Sequence, residues 1–138
     1  MKTKISQALL GGVIGTAAMT MIMFMAPMMG IPKMNPAEML SGMMGAPLIV
    51  GWMMHFMIGI IFAAAYVFIL SSMLSKIKSK LAKGAIFGII AFVFAQLVMS
   101  MMGKCILCMP SDIRMAMLMG TLLGHLVYGV VTAQFVKD

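Results

Sequence analysis

The chain has 138 residues, is 63% hydrophobic with a mean hydropathy of +1.11, and carries 9% charged residues, where a soluble domain has about a quarter. Its formal charge of +7 is spread over short connections rather than gathered into a stripe, which excludes a nucleic-acid surface. Too little chain lies outside the apolar stretches to build a soluble domain.

A helix needs about 20 mostly apolar residues to span a bilayer. Four stretches qualify: 5–30, 48–74, 84–102 and 113–136. The expected fold is all-α: a four-transmembrane-helix bundle in one integral membrane domain, 1–138. The charged start and apolar run of residues 1–26 suggest a secretory signal, but the run is too long for one and is expected to remain as the first span. In that span Gly11 and Gly15 form a small-xxx-small face suited to close helix contact. Asn35-Pro36-Ala37-Glu38 reads as a helix start: Asn caps, Pro takes the first turn, and Glu favours the positive end. Met39, Met43 and Met44 follow at helical spacing, predicting a short amphipathic helix at the outer surface, either a lid or a simple interfacial connector.

Span two contains Gly51, His55 and Gly59. Span four contains Thr121, His125 and Gly129. Both read small-xxx-His-xxx-Gly, with Ala63 and Ala133 four residues on. Span three opens on Gly84 and Gly88, much as span one opens on Gly12. The chain therefore reads as a duplicated two-helix unit, repeat 1 about 5–75 and repeat 2 about 84–136, with a pseudo-two-fold along the membrane normal.

The cations set an orientation. Lys2, Lys4, Lys76, Lys78, Lys80, Lys83 and Lys137 fall on one side, against Lys33, Lys104 and Arg114 on the other. The positive-inside rule then predicts a multi-pass protein of the inner (plasma) membrane with both termini cytoplasmic.

The segments Gly15-Thr16-Ala17-Ala18-Met19-Thr20, Ala26-Pro27-Met28-Met29-Gly30-Ile31-Pro32-Lys33, and Gly51-Trp52 with His55 and Gly59 carry a resemblance. The chain resembles a family of small uncharacterised prokaryotic four-helix integral membrane proteins. The likeness lies mainly in the first half. It implies the four-span fold and carries no activity, and a Cys pair is not part of its pattern.

The residues with chemistry lie mostly at one depth. Of 22 methionines, 13 fall between Met19 and Met57 and seven between Met99 and Met119, whereas Leu, Ile, Val and Phe fill the other halves of the spans. Thioether, thiolate and imidazole are the donors Cu(I) prefers, and methionines at i and i+4 share a helix face. The candidate metal ligands are therefore Met21 and Met25, Met53 and Met57 with His55, and Met115 and Met119. Packing filler is the competing reading of the methionines. Cys105-Ile106-Leu107-Cys108 admits a disulfide or further metal ligands.

His55 and His125 are costly inside a membrane and mark a functional site by default. They suit a Cu(I) site, paired axial ligation of haem b, or hydrogen bonding to Gln96, Tyr66 or Tyr128. No paired intramembrane carboxylate, Ser/His/Asp set or phosphate loop is present, so no enzyme is expected. Glu38, Asp112 and Asp138 sit near helix ends or the chain end. The leading expectation is a small inner-membrane protein that binds or handles Cu(I) from the outer side. The alternatives are a bis-histidine haem electron-transfer subunit and a non-catalytic accessory subunit of a respiratory or copper-enzyme complex. A lone bundle is thin for a pore, which points to a homo-oligomer or a larger membrane complex in the lipid bilayer.

Overall fold

The structure, a computed structural model, describes residues 2–137; Asp138 lies outside them. Among the described residues it is all helix and turn. Helix α1 is Lys2–Met25, α2 is Pro36–Met44, and α3 is Leu48–Ala65, continuing through a π turn at Tyr66–Leu70 into Ser71–Met73. Helix α4 is Lys80–Met101 and α5 is Ser111–Gln134. Four of them, all but α2, are long and apolar enough to cross a membrane.

Local chemistry places the boundaries. Pro27 turns the end of α1 into a 3-10 turn, Ala26–Met29, which closes on Gly30 at a φ of 78°, a left-handed conformation that glycine adopts without penalty. Helix α2 starts as its sequence predicts. Asn35 Oδ1 accepts from the backbone N–H of Ala37 at 3.0 Å and of Glu38 at 3.4 Å, satisfying donors the first turn leaves unpaired. Helix α4 begins four residues before the expected span, at Lys80, because the Ser79 hydroxyl caps it through the Ala82 N–H. An apolar-run criterion does not register that polar turn.

Helix α1 packs against both α3 and α5, α4 packs against α5, and α2 lies against α3. Without water exclusion between helices in lipid, close approach depends on small residues. A Cβ added to Gly12 would stand 2.7 Å from Ile60 Cα; one added to Gly84 would stand 2.6 Å from Val130 Cα. In each pair the glycine also faces the carbonyl of the preceding residue, Gly59 or Gly129. Gly51 lets α2 seat on α3, since a Cβ there would collide with the Ala37 carbonyl.

Toward the end of the bundle away from α2 the interior is closed. Tyr66 stacks on Phe87 with centroids 4.6 Å apart, and Phe87 meets Tyr128 at 5.6 Å. Tyr128 donates to the Gly59 carbonyl at 2.6 Å and Thr132 to the Gly11 carbonyl at 3.1 Å. These bonds tie α5 to α3 and α1. Toward the α2 end, the interior opens instead.

Candidate functional site: a methionine-lined cavity around two histidines

A cavity of about 520 Å³ lies between the long helices at the α2 end of the bundle. That is within the roughly 300–1,000 Å³ of small-ligand sites. Its walls hold Thr16, Met19 and Met23 from α1, His55, Ile58 and Phe62 from α3, Ala91, Ala95, Gln96 and Met99 from α4, and Met117, Thr121, His125 and Tyr128 from α5. Helix α2 and the two adjoining connections roof it with Met34, Met39, Ile106 and Met109, and add Lys33, Glu38 and Lys104.

The two histidines predicted from sequence line this one cavity. Their hydrogen bonds go to Thr20 and Thr121 rather than to Gln96 or Tyr128. His55 is buried, and its Nε2 lies 3.0 Å from Thr20 Oγ1. The Thr20 hydroxyl donates its hydrogen bond to the Thr16 carbonyl at 2.8 Å, so the imidazole N–H is the donor and the His55 lone pair is on Nδ1. His125 Nδ1 is 2.7 Å from the Thr121 carbonyl. A carbonyl only accepts, so Nδ1 carries the proton and the lone pair is on Nε2. Each ring thus has one nitrogen fixed by a partner and one available to a ligand, the arrangement that orients metal-binding histidines. Aromatic rings hold both side chains laterally: Trp52 and Phe56 lie beside His55, and Phe92 lies beside His125 at 5.8 Å.

The methionines chosen from sequence do not converge here. Met21, Met25, Met53, Met57, Met115 and Met119 are 46–67% exposed, on faces turned away from the cavity. The inward thioethers belong to their neighbours. Met19 and Met23 are buried and rest against Gly124, where a Cβ would meet both Cγ atoms at 3.4 Å and Met23 Sδ at 3.6 Å. Met34 reaches Gly120 in the same way. Small residues one and five places before His125 were the available sequence signal for this inward face. Among the described residues no three His, Cys, Asp or Glu side chains form a metal-binding group; the soft donors gathered here are thioethers and imidazoles.

Cys105 and Cys108 are joined as a disulfide across a Cα–Cα distance of 5.3 Å, so of the readings open in the sequence the pair here adopts the disulfide. The intervening Ile106 is buried. Thr16 Oγ1, on the cavity wall, is buried without a hydrogen-bond partner among the described residues.

The cavity is lined by residues from Thr16 to Tyr128, and the family likeness likewise spans nearly the whole chain. Neither the curated proteins nor the solved structures contain a match. A family model covers residues 2–137. The chain belongs to that family, DUF6789, a family of unknown function.

Proposed function

We propose that this protein binds Cu(I) in the cavity between its helices, with His55 Nδ1 and His125 Nε2 as imidazole donors and Met19 and Met23 as thioether donors. One observation carries the reading: Met19, Met23, Met34, Met39, Met99, Met109 and Met117 line a single cavity that also holds both histidines. Thioethers and neutral imidazoles favour Cu(I) over hard cations, and the second partner of each ring supports ligation. The outward methionines then serve as contact surface for lipid, a second copy or a partner subunit.

The lysine distribution supports a cytoplasmic position for the termini and the α3–α4 connection, and an extracytoplasmic one for α2 and the cysteine turn. The matching contacts of Gly12 with Ile60 and of Gly84 with Val130 support a duplicated two-helix unit, with the cavity between its halves. The test is a Cu(I) titration of the purified protein in mild detergent against a competing chelator. Binding that collapses in a Met19→Leu/Met23→Leu/His125→Leu variant, with folding intact, is the expected result. Equal binding by that variant sinks the reading.

A second reading, ligation of haem b by His55 and His125, is favoured by the cavity's size and by Lys33 and Lys104, which suit two propionates; it requires His55 to release Thr20, since an imidazole reaches haem iron through Nε2. A visible spectrum of protein supplied with haem decides between them: a Soret band that is lost in His125→Leu selects haem.

A further inference from the structure

The connection between α4 and α5 supplies Lys104, Ile106 and Met109 to the cavity and carries the Cys105–Cys108 pair among them. Cys105 is half-buried and Cys108 exposed. The turn they close buries Ile106 against the cavity, and the next residue, Met109, lines it too. Arg114, in the first turn of α5, donates to the Leu107 carbonyl at 3.2 Å and holds the turn in place. Among the described residues, the charged groups lining this end of the cavity are Lys33, Lys104 and Glu38.

Passive uptake of copper meets two obstacles here. The cavity's donors suit Cu(I), while a compartment that maintains a disulfide is oxidising, and there aqueous copper is Cu(II). The excess of lysine also repels a bare cation. A dithiol at the roof answers both. Sulfur binds copper with loss of its proton, which offsets the local positive charge, and it supplies electrons.

We infer that the Cys105/Cys108 pair in its dithiol form is the entry site for copper and reduces Cu(II) to Cu(I), which Met109 and the thioethers below then receive. This rests on the Cu(I) reading of the cavity. Two thiols and two Cu(II) give one disulfide, two Cu(I) and two protons. Each sulfur loses one electron, each copper gains one, the S–H bonds break, the S–S bond forms, and the protons pass to solvent. The disulfide in the structure is the product of that step. An extracytoplasmic dithiol regenerates the pair by attack on the exposed Cys108 sulfur through a mixed disulfide.

The experiment uses the full chain in detergent under anaerobic conditions, reduced and then freed of reductant. Cu(II) is added, Cu(I) is read with a chromophoric chelator of moderate affinity, and thiols are counted by mass spectrometry. The expected result is two Cu(I) per chain with loss of both thiols, and none above buffer from the oxidised protein or from Cys105→Ser/Cys108→Ser. In the wild type part of the Cu(I) stays on the protein; in Met19→Leu/Met23→Leu/His125→Leu the same yield appears but passes to the chelator. Two results overturn the inference while leaving the cavity reading standing. One is failure of the reduced chain to convert Cu(II) although it retains Cu(I) supplied directly. The other is conversion no faster than that of the unfolded chain. Failure to retain directly supplied Cu(I) overturns the cavity reading, and the inference with it.

Discussion

Thr20 holds His55 across the α1–α3 interface: its hydroxyl sits 3.0 Å from Nε2 and donates its own hydrogen bond to the Thr16 carbonyl. This short relay decides which ring nitrogen is left for a ligand. Replacing Thr20 by Val keeps the shape but leaves a buried imidazole N–H unpaired, at a cost of about 1–3 kcal/mol. Loss of such an outer partner typically lowers metal affinity about 10–100-fold. Chelator competition should show that drop in Thr20→Val and near-native binding in Thr20→Ser. Equal affinity in both variants would remove Thr20 from the site.

The methionines divide by face. Met53→Leu/Met57→Leu changes two exposed side chains and should leave Cu(I) affinity unchanged. Met19→Leu/Met23→Leu removes two buried thioethers at nearly constant volume, a change that typically costs under about 1.5 kcal/mol, and should weaken binding by at least tenfold. Thermal unfolding followed in parallel separates ligand loss from fold loss. The reverse ranking of the two variants would relocate the site to the outer face.

Gly59 faces Thr16, and a Cβ at Gly59 would land on Thr16 Oγ1. Gly59→Ala should therefore destabilise the α1–α3 contact by about 1–3 kcal/mol, the usual cost of overpacking. Thr16→Ala removes the obstructing oxygen, so the double variant should recover part of the loss. Additive effects in a double-mutant cycle would show that the two residues do not share one contact.

Orientation is testable in intact cells. In a Cys105→Ser/Cys108→Ser background, a cysteine introduced at the exposed position 44, at the end of α2, should react with an impermeant reagent, and one at the exposed position 78 should not. The opposite pattern inverts the topology and removes the extracytoplasmic setting on which the dithiol chemistry depends.

The spans were legible because run length and composition are one-dimensional properties, and the start of α2 because Asn35, Pro36 and Glu38 act within four residues. Gly11 and Gly15 announced a close contact, which they make with Thr132 and Tyr128 of α5; the tighter approach of Gly12 to Ile60 was read in the sequence only as part of the repeat. The inward methionines were not legible. In α1 the methionines fall on nearly opposite faces, and inside a membrane an apolar side chain is equally at home against lipid or protein. Hydrophobicity therefore cannot say which of Met19, Met21, Met23 and Met25 points inward. That depends on small residues such as Gly120 and Gly124 across the interface, about 100 residues away in the chain. The partner of His55 was hidden for the same reason: Thr20 is 35 residues distant and reads on its own as an ordinary helix position.

The seating of α2 on Gly51 has a mechanical consequence. With no side chain between them, the Ala37 carbonyl meets the α3 backbone directly, so any swing of α2 away from α3 gives up that backbone contact. The other part of the roof, the cysteine turn, is fastened to α5 through Arg114 and Leu107. The roof is thus two jaws, each fixed to a different transmembrane helix. A change in the spacing of α3 and α5 therefore carries the two parts of the roof with it, and the cover over the histidines follows the spacing of the helices.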